Sequence, residues 1–287
     1  MTDRYPFPDE FSPIGSSAYY AIRFAPPGRR SFLSLANAFY RTVRNIPVTC
    51  SDPGVAAEKL NWWRLEIERS RESRAQHPMA ISMGALQTQY SLPTHYFEPF
   101  FRAVGQEIGT IEIESDNDLE RHCRDTGALF ADLNALIGGS DEAQRRSARE
   151  LGSFLRMVEI IRDLGFDLRR NRCFIPAERL RQHQLSPAQL LHIEESEQLQ
   201  SLLCSITGFQ RRHYQKTVQA IHRRDGLGPL LSLTAMAEQV LRIIDADGYR
   251  RLVHQRTSLT PLHKLWISWR CQRRIRSGRN TSRSTNV

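Results

Sequence analysis

Apolar residues recur along this chain at the spacing of an α-helix, while the alternation typical of a half-buried strand is almost absent. One apolar stripe contains Leu60 and Ile67, and a longer one runs through residues 230 to 244. Asp52 and Pro53 precede the first stripe, and an aspartate cap followed by proline in the first turn is a typical helix start. Short links with glycine or proline join the segments, as in antiparallel bundles. The sequence therefore predicts an all-α protein.

The same patterns predict the larger divisions of the chain. No low-complexity linker interrupts it, so we expect one helical domain over residues 15 to 265, an N-terminal arm of residues 1 to 14 and a basic tail of residues 266 to 287. Further helices are predicted after Pro93, from near Asp118 to Ile137, from about Asp141 to about Leu168, from Ser186-Pro187 onwards, and up to Asp247-Gly248.

Positive charge is concentrated at the C-terminal end. The formal net charge is +9, and residues 264 to 287 hold seven Lys or Arg and no acid, which leaves 9 − 7 = +2 for the rest. Trp266, Ile267 and Trp269 followed by arginines form a short amphipathic segment that suits peripheral contact with an anionic membrane surface. The other interpretation is a last helix that packs on the body. Without a recognised RNA module, no specific nucleic-acid binding is predicted.

Neither a membrane span nor a signal peptide is predicted. No apolar run reaches the roughly 18 residues expected of a spanning helix, and the N-terminus has no basic flank followed by an apolar stretch. We therefore expect a cytoplasmic protein. Whether it also associates with a membrane through the basic tail stays open. The five cysteines are far apart and form no CxxC or Cys/His cluster, so we expect free thiols rather than a zinc site.

The segment from Leu151 to Pro176 is the most informative about chemistry. Its apolar residues cover a wide arc, which is typical of a helix buried on most sides. Glu159, Asp163 and Asp167 nevertheless stand four residues apart and share one face of that helix. Three carboxylates in one row repel each other unless positive charge lies nearby.

Two explanations of this carboxylate row remain open from spacing alone. In the first, the row is a structural ion-pair ladder, in which arginines three or four residues away neutralise the acids. The predicted pairs are Arg156 and Arg162 with Glu159, and Arg170 with Asp167. In the second, the carboxylates hold Mg²⁺, which binds through a few carboxylates and bridges to substrate phosphates.

Two adjoining stretches resemble the second aspartate motif of the squalene/phytoene synthase family, an RDxxxD helix that runs into an R-x-Y-x-P turn. They are residues 161 to 167, which read IRDLGFD, and residues 170 to 176, which read RNRCFIP. Other segments similar to the family pattern are GSSAYY at 15 to 20, PPGRR at 26 to 30, YRTV at 40 to 43, KLNWW at 59 to 63, His77-Pro78 and Leu151-Gly152. The resemblance extends from residue 15 to about residue 180.

The resemblance implies an isoprenoid synthase fold, a helical bundle around a central cavity that binds two allylic prenyl diphosphates of C15 or C20 length. It implies catalytic roles for Asp163 and Asp167 and Mg²⁺ held by these two residues. Glu159, which stands where the family usually has Asn, adds a third candidate ligand. Ionisation then gives an allylic cation, which the double bond of the second substrate attacks. The candidate diphosphate-binding side chains are Arg41, Arg44, Arg162 and Arg172.

The chain departs from the family at the first aspartate motif. A DDxxD sequence is expected just after residues 40 to 43, but Arg44, Asn45 and Val48 stand at the aspartate positions, and Pro47 should disrupt the helix. Two consequences are open. Arg44 forms a salt bridge across the bundle to the second motif, or it binds diphosphate directly together with Arg41, a role that suits the forked guanidinium.

Two functions of different classes follow. One is a magnesium-dependent prenyltransferase of the farnesyl-diphosphate farnesyltransferase or phytoene synthase type, which acts in isoprenoid biosynthesis. The other is a catalytically impaired or non-catalytic homologue that binds a prenyl lipid or acts as an assembly factor. The second aspartate motif favours the first function and the missing first motif favours the second, so enzymatic activity stays open at this point.

Overall fold

The structure is a computed structural model that describes residues 6 to 192, 197 to 221 and 224 to 284. Residues 1 to 5 of the predicted arm and 285 to 287 of the predicted tail lie outside the described residues. Within the described residues every regular element is a helix. The helices are α1 (Ser17–Arg23), α2 (Pro27–Arg44), α3 (Ile46–Thr49), α4 (Pro53–Arg71), α5 (Pro78–Gln89), α6 (Glu98–Gly105), α7 (Asp116–Ile137), α8 (Glu142–Arg162), α9 (Leu164–Leu168), α10 (Ala177–Gln182), α11 (Pro187–Leu190), α12 (Glu197–Ala220), α13 (Gly228–Ala246) and α14 (Pro261–Ser284).

Local capping explains where several predicted helices begin. The Asp52 carboxylate accepts a hydrogen bond from the Val55 amide at 2.9 Å and caps α4. Ser115 and Asp141 each form a capping box, which satisfies amides that have no partner inside the helix. The helix predicted from near Asp118 therefore begins two residues earlier, at Asp116.

Two interruptions shape the site described below. Helix α2 ends at Arg44 and α3 begins at Ile46, as predicted from Pro47, which occupies the first turn of α3. The helix predicted over residues 141 to 168 is not continuous, because α8 ends at Arg162 and α9 begins at Leu164. A close backbone contact accompanies this break, since a Cβ atom on Gly165 would lie only 1.9 Å from the Val253 carbonyl oxygen.

Helices α7 and α8 cross closely at the centre of the molecule. A Cβ atom added to Gly127 would lie 2.2 Å from the Gly152 carbonyl oxygen, and one added to Gly152 would lie 2.3 Å from that of Gly127. Only glycine permits so close an approach of two backbones. Two large hydrophobic cores contain residues of this pair of helices. One includes Phe39 and Phe100, and the other includes Phe154, which stacks on the partly buried Tyr214 at 4.2 Å.

Both ends of the described chain pack on the bundle. In the N-terminal arm, the Phe11 carbonyl accepts hydrogen bonds from Asn37 and Arg41, each at 3.0 Å. At the other end, α14 buries Ile267 and Ile275, so the predicted division between residues 265 and 266 lies inside a packed helix. No helix within the described residues is long and apolar enough to cross a membrane.

Candidate functional site

A cavity of about 600 Å³ lies between α2, α8, α13 and the start of α14. Its apolar wall contains Phe130, Leu155, Leu233, Val240 and Leu259. Five basic side chains and two carboxylates also line it, which gives 5 − 2 = +3 among the lining residues. The basic residues are Arg41, Arg44, Arg162, Arg256 and Lys264, and the carboxylates are Glu159 and Asp163.

Arg44 reaches a different partner from the one predicted. Its guanidinium donates to Glu107 Oε1 at 2.6 Å, and it lies 3.7 Å from Glu159 Oε2. The salt bridge predicted from Arg44 to Asp163 and Asp167 is therefore wrong in its partners. The break after Arg44 places the guanidinium at the end of α2, where it faces Glu107 in the link between α6 and α7.

Glu107 is the centre of a buried ionic network that sequence reasoning missed. Its side chain is 1% exposed and also accepts from Arg156 at 3.0 Å and from Arg172 at 2.7 Å, while His122 Nε2 lies 3.2 Å away. Burial opposes ionisation, but Arg44 and Arg156 outweigh it and hold the pKa of Glu107 well below its usual range. No motif or helical spacing marks this residue in the sequence.

Asp163 lies between two guanidinium groups. Arg162 donates to its two oxygens at 2.8 and 2.7 Å, and Arg256 donates to the same two oxygens at 2.6 and 2.8 Å. Although burial raises the pKa of Asp163, the hydrogen bonds and charge of Arg162 and Arg256 lower it overall. Arg256 belongs to the segment between α13 and α14 and was not predicted as a site residue.

Asp167 is buried and does not line the cavity. Its Oδ1 lies 3.3 Å from Arg172 Nε, and burial raises the pKa of its carboxyl despite that neighbour. The predicted partner Arg170 is wrong, because its guanidinium donates to the Phe166 carbonyl and lies 3.6 Å above the Phe166 ring. Arg172, which was predicted to bind diphosphate, joins Asp167 to Glu107 instead of lining the cavity.

The remaining predicted residues divide between the cavity and the ion-pair ladder. Glu159 lies 3.7 Å from Arg156, as the ladder predicted, but its predicted pairing with Arg162 is replaced by that of Arg162 with Asp163. Arg41 and Lys264 line the cavity, and each donates to a main-chain carbonyl, that of Phe11 and that of Gly15. Lys264 is a further site residue that the sequence did not reveal.

The donor set does not fit the predicted magnesium site. Each of the three predicted ligands lies beside at least one guanidinium, and both oxygens of Asp163 accept two hydrogen bonds each. Among the described residues, no three His, Cys, Asp or Glu side chains are grouped so that they could hold a metal ion. As arranged here, both oxygens of Asp163 are occupied by arginines, Asp167 does not line the cavity, and Glu159 lies 3.7 Å from two guanidinium groups, so the three carboxylates do not converge on one cation position.

Similarity to solved structures defines the class of protein. A dehydrosqualene synthase in complex with ligand matches with a TM-score of 0.78 at 16% identity, over 91% of this chain and 92% of that one. Squalene synthase HpnC from Alicyclobacillus acidocaldarius matches with a TM-score of 0.67 at 18% identity, over 80% and 88% of the two chains. The chain is thus an all-α protein with the isoprenoid synthase fold, which confirms the predicted fold.

The chain belongs to the squalene/phytoene synthase family, whose family model matches residues 13 to 263. The phytoene synthase of Thermus thermophilus is 22% identical over 201 residues, which cover 69% of this chain and 69% of that protein. Family members catalyse head-to-head prenyl transfer and generally depend on divalent metal ions. The resemblance inferred from the aspartate motif is confirmed.

Proposed function

We propose that this chain transfers a prenyl group between two allylic prenyl diphosphates of C15 or C20 length. The observation that carries the proposal is a cavity with an apolar wall and five basic side chains. An apolar wall suits isoprenoid tails and keeps water from an allylic cation. Guanidinium and ammonium groups suit diphosphate. Family membership favours this activity over a non-catalytic role.

In the proposed reaction, the C–O bond of one allylic diphosphate breaks and both electrons leave with the diphosphate. The double bond of the second substrate supplies an electron pair to the allylic cation, and loss of a proton completes the product. Arg44 and Arg162 stabilise the charge that develops on the leaving group, with Arg41 in support. Arg172 supports this set indirectly through Glu107, which it contacts at 2.7 Å together with Arg44 at 2.6 Å.

Magnesium is the cofactor that the sequence predicts, and in the family a divalent metal serves to neutralise the leaving diphosphate. Because both oxygens of Asp163 are occupied by arginines and Asp167 does not line the cavity, we assign the diphosphate to basic side chains and no step to a metal. The contacts of Asp163 and Asp167 likewise support no catalytic step for either residue.

The test is turnover of farnesyl diphosphate and of geranylgeranyl diphosphate, with Mg²⁺ and with EDTA. We expect a head-to-head product, identified by mass spectrometry, together with release of pyrophosphate. Arg121→Gln is a suitable control, since Arg121 is exposed and pairs only with Asp118 among the contacts described. Absence of a coupled product under both conditions, with a folded protein, would contradict the proposed function.

We further propose that the outer face of α14 contacts an anionic membrane surface. Leu262, Trp266 and Trp269 are 77%, 50% and 46% exposed and lie on one face of the helix, at spacings of four and three residues. Residues 248 to 287 contain ten Lys or Arg and no acid, so the remainder of the chain has a charge of 9 − 10 = −1. Aromatic rings beside basic groups suit the interface of anionic lipids.

The expected result is that the protein sediments with phosphatidylglycerol vesicles and not with phosphatidylcholine vesicles. Replacing Trp266 and Trp269 together by serine should weaken the binding by about tenfold, because each indole contributes buried apolar area at the interface. The matched control is Trp62→Ser on α4, because Trp62 is another exposed tryptophan, with an exposed fraction of 40%. Equal binding of the control and the double variant would contradict a role for α14, as would equal binding to both lipids.

A further inference from the structure

We propose that Asp163 is an internal counter-anion of the diphosphate site rather than a metal ligand. In the free protein it holds Arg162 and Arg256 at the cavity, and an incoming diphosphate takes its place on Arg256. The inference rests on the proposed function in so far as the anion is the diphosphate of a prenyl substrate. It concerns Asp163 and Arg256, to which the proposed reaction assigns no step.

The first support is that the Asp163 carboxylate has no free acceptor position. Arg162 and Arg256 each donate two hydrogen bonds, one to each oxygen, at 2.6 to 2.8 Å. A carboxylate has about four acceptor positions, and a metal ion would require at least one of them. Paired bidentate contacts of this kind are also how guanidinium groups bind phosphate. Asp163 thus occupies donors that a diphosphate would use.

The second support is the different placement of the two arginines. Arg162 ends α8 and its side chain is 26% exposed, whereas Arg256 lies in the segment between α13 and α14 and is 63% exposed. Asp163 itself is 18% exposed, so Arg256 is the outer partner of this pair and the one of the two arginines that an anion from solvent can reach first. Diphosphate carries more charge and more acceptor oxygens than one carboxylate, and therefore competes well for Arg256.

The third support is the charge that surrounds Asp163. The cavity lining has an excess of three positive charges, and two of its cations, Arg41 and Lys264, donate to uncharged main-chain oxygens. An anion is therefore attracted to the cavity, and Asp163 is one of only two carboxylates in the lining that oppose it. Removing this negative charge should strengthen anion binding, while removing a metal ligand should weaken it. The two roles predict effects of opposite sign.

The test measures binding of inorganic pyrophosphate by calorimetry, once in EDTA and once with Mg²⁺, using the whole chain, because the two roles predict opposite effects of Asp163→Asn only when Mg²⁺ is present. Asp163→Asn should bind about fivefold more tightly than the unmodified chain, because a repelling charge next to the anion is removed in a solvent-accessible site. Arg256→Gln should bind more weakly by a similar factor. The control Glu72→Gln removes an exposed carboxylate at the end of α4 and should leave the affinity unchanged.

Three results would overturn the inference: unchanged or weaker binding by Asp163→Asn, no effect of Arg256→Gln, or binding by the unmodified chain only when Mg²⁺ is present. Should Asp163→Asn fail to fold, Arg256→Gln and the EDTA comparison still decide the matter. The outcome is distinct from that of the turnover test. Tighter pyrophosphate binding without any prenyl product would contradict the proposed function and leave the role of Asp163 standing.

Discussion

Glu107→Gln should lower the free energy of unfolding by about 3 to 5 kcal/mol, the usual cost of breaking a buried ion pair from one side. Glu107 is 1% exposed and lies within 3.0 Å of guanidinium groups of Arg44, Arg156 and Arg172. Glutamine keeps the size of the side chain but removes its charge. The buried guanidinium groups of Arg156 and Arg172 then lose the counter-ion that they share with Arg44. Urea unfolding followed by circular dichroism measures the change.

The matched control is Glu114→Gln. Glu114 pairs with Arg181, and both side chains are 65% exposed, so the expected loss is at most about 1 kcal/mol. Similar losses of unfolding free energy for the two variants would show that the network around Glu107 stabilises the fold no more than an exposed ion pair does.

The unmodified protein and Glu107→Gln should also differ in how their stability depends on pH. Because folding lowers the pKa of Glu107, its ionisation stabilises the folded state above the unfolded pKa of about 4.3, and this contribution is lost as the pH falls further. Glutamine has no such contribution. The difference in unfolding free energy between the unmodified protein and Glu107→Gln should therefore be largest near neutral pH and shrink below about pH 4. A difference that stays constant with pH would contradict this account.

Features encoded within one helix could be predicted from the sequence. The cap at Asp52, the stop before Pro47 and the i, i+3 pair of Arg156 with Glu159 all depend on residues a few positions apart. The continuous helix predicted through Asp163 was wrong, because its interruption accompanies a backbone contact between Gly165 and the distant residue Val253. Tertiary packing, which no local pattern records, overrides the helical periodicity there.

The site was predictable in its residue types but not in its pairings. The carboxylate row marked the correct region, and Arg44 and Arg162 do line the cavity. Glu107 and Arg256 could not be predicted as site residues from the sequence. Glu107 contacts Arg44, which is 63 positions away in the chain, and Arg256 contacts Asp163, which is 93 positions away. A carboxylate that looks free in a helical pattern can be neutralised from any other part of the fold, and this decides whether it can hold a metal.

Arg44→Gln should reduce kcat/KM for prenyl diphosphate by roughly 100-fold, the effect of losing a charge-assisted contact to the leaving group. Arg44 lines the cavity at the end of α2, and Glu107 and Glu159 hold its guanidinium from the side. Arg44 stays protonated at neutral pH, because the charge of Glu107 raises the pKa of Arg44 although burial opposes this. The measurement is steady-state release of pyrophosphate from farnesyl diphosphate.

A conservative variant separates a role in diphosphate binding from a purely structural one. Arg44→Lys retains the positive charge but lacks the planar fork, so it should recover part of the lost kcat/KM while its stability stays close to that of Arg44→Gln. The glutamine variant should remain folded, because Arg156 and Arg172 still neutralise Glu107. If Arg44→Lys were as inactive as Arg44→Gln, the positive charge of Arg44 would have no role in the reaction, and the diphosphate would have to be held by the cations on α8 and beyond.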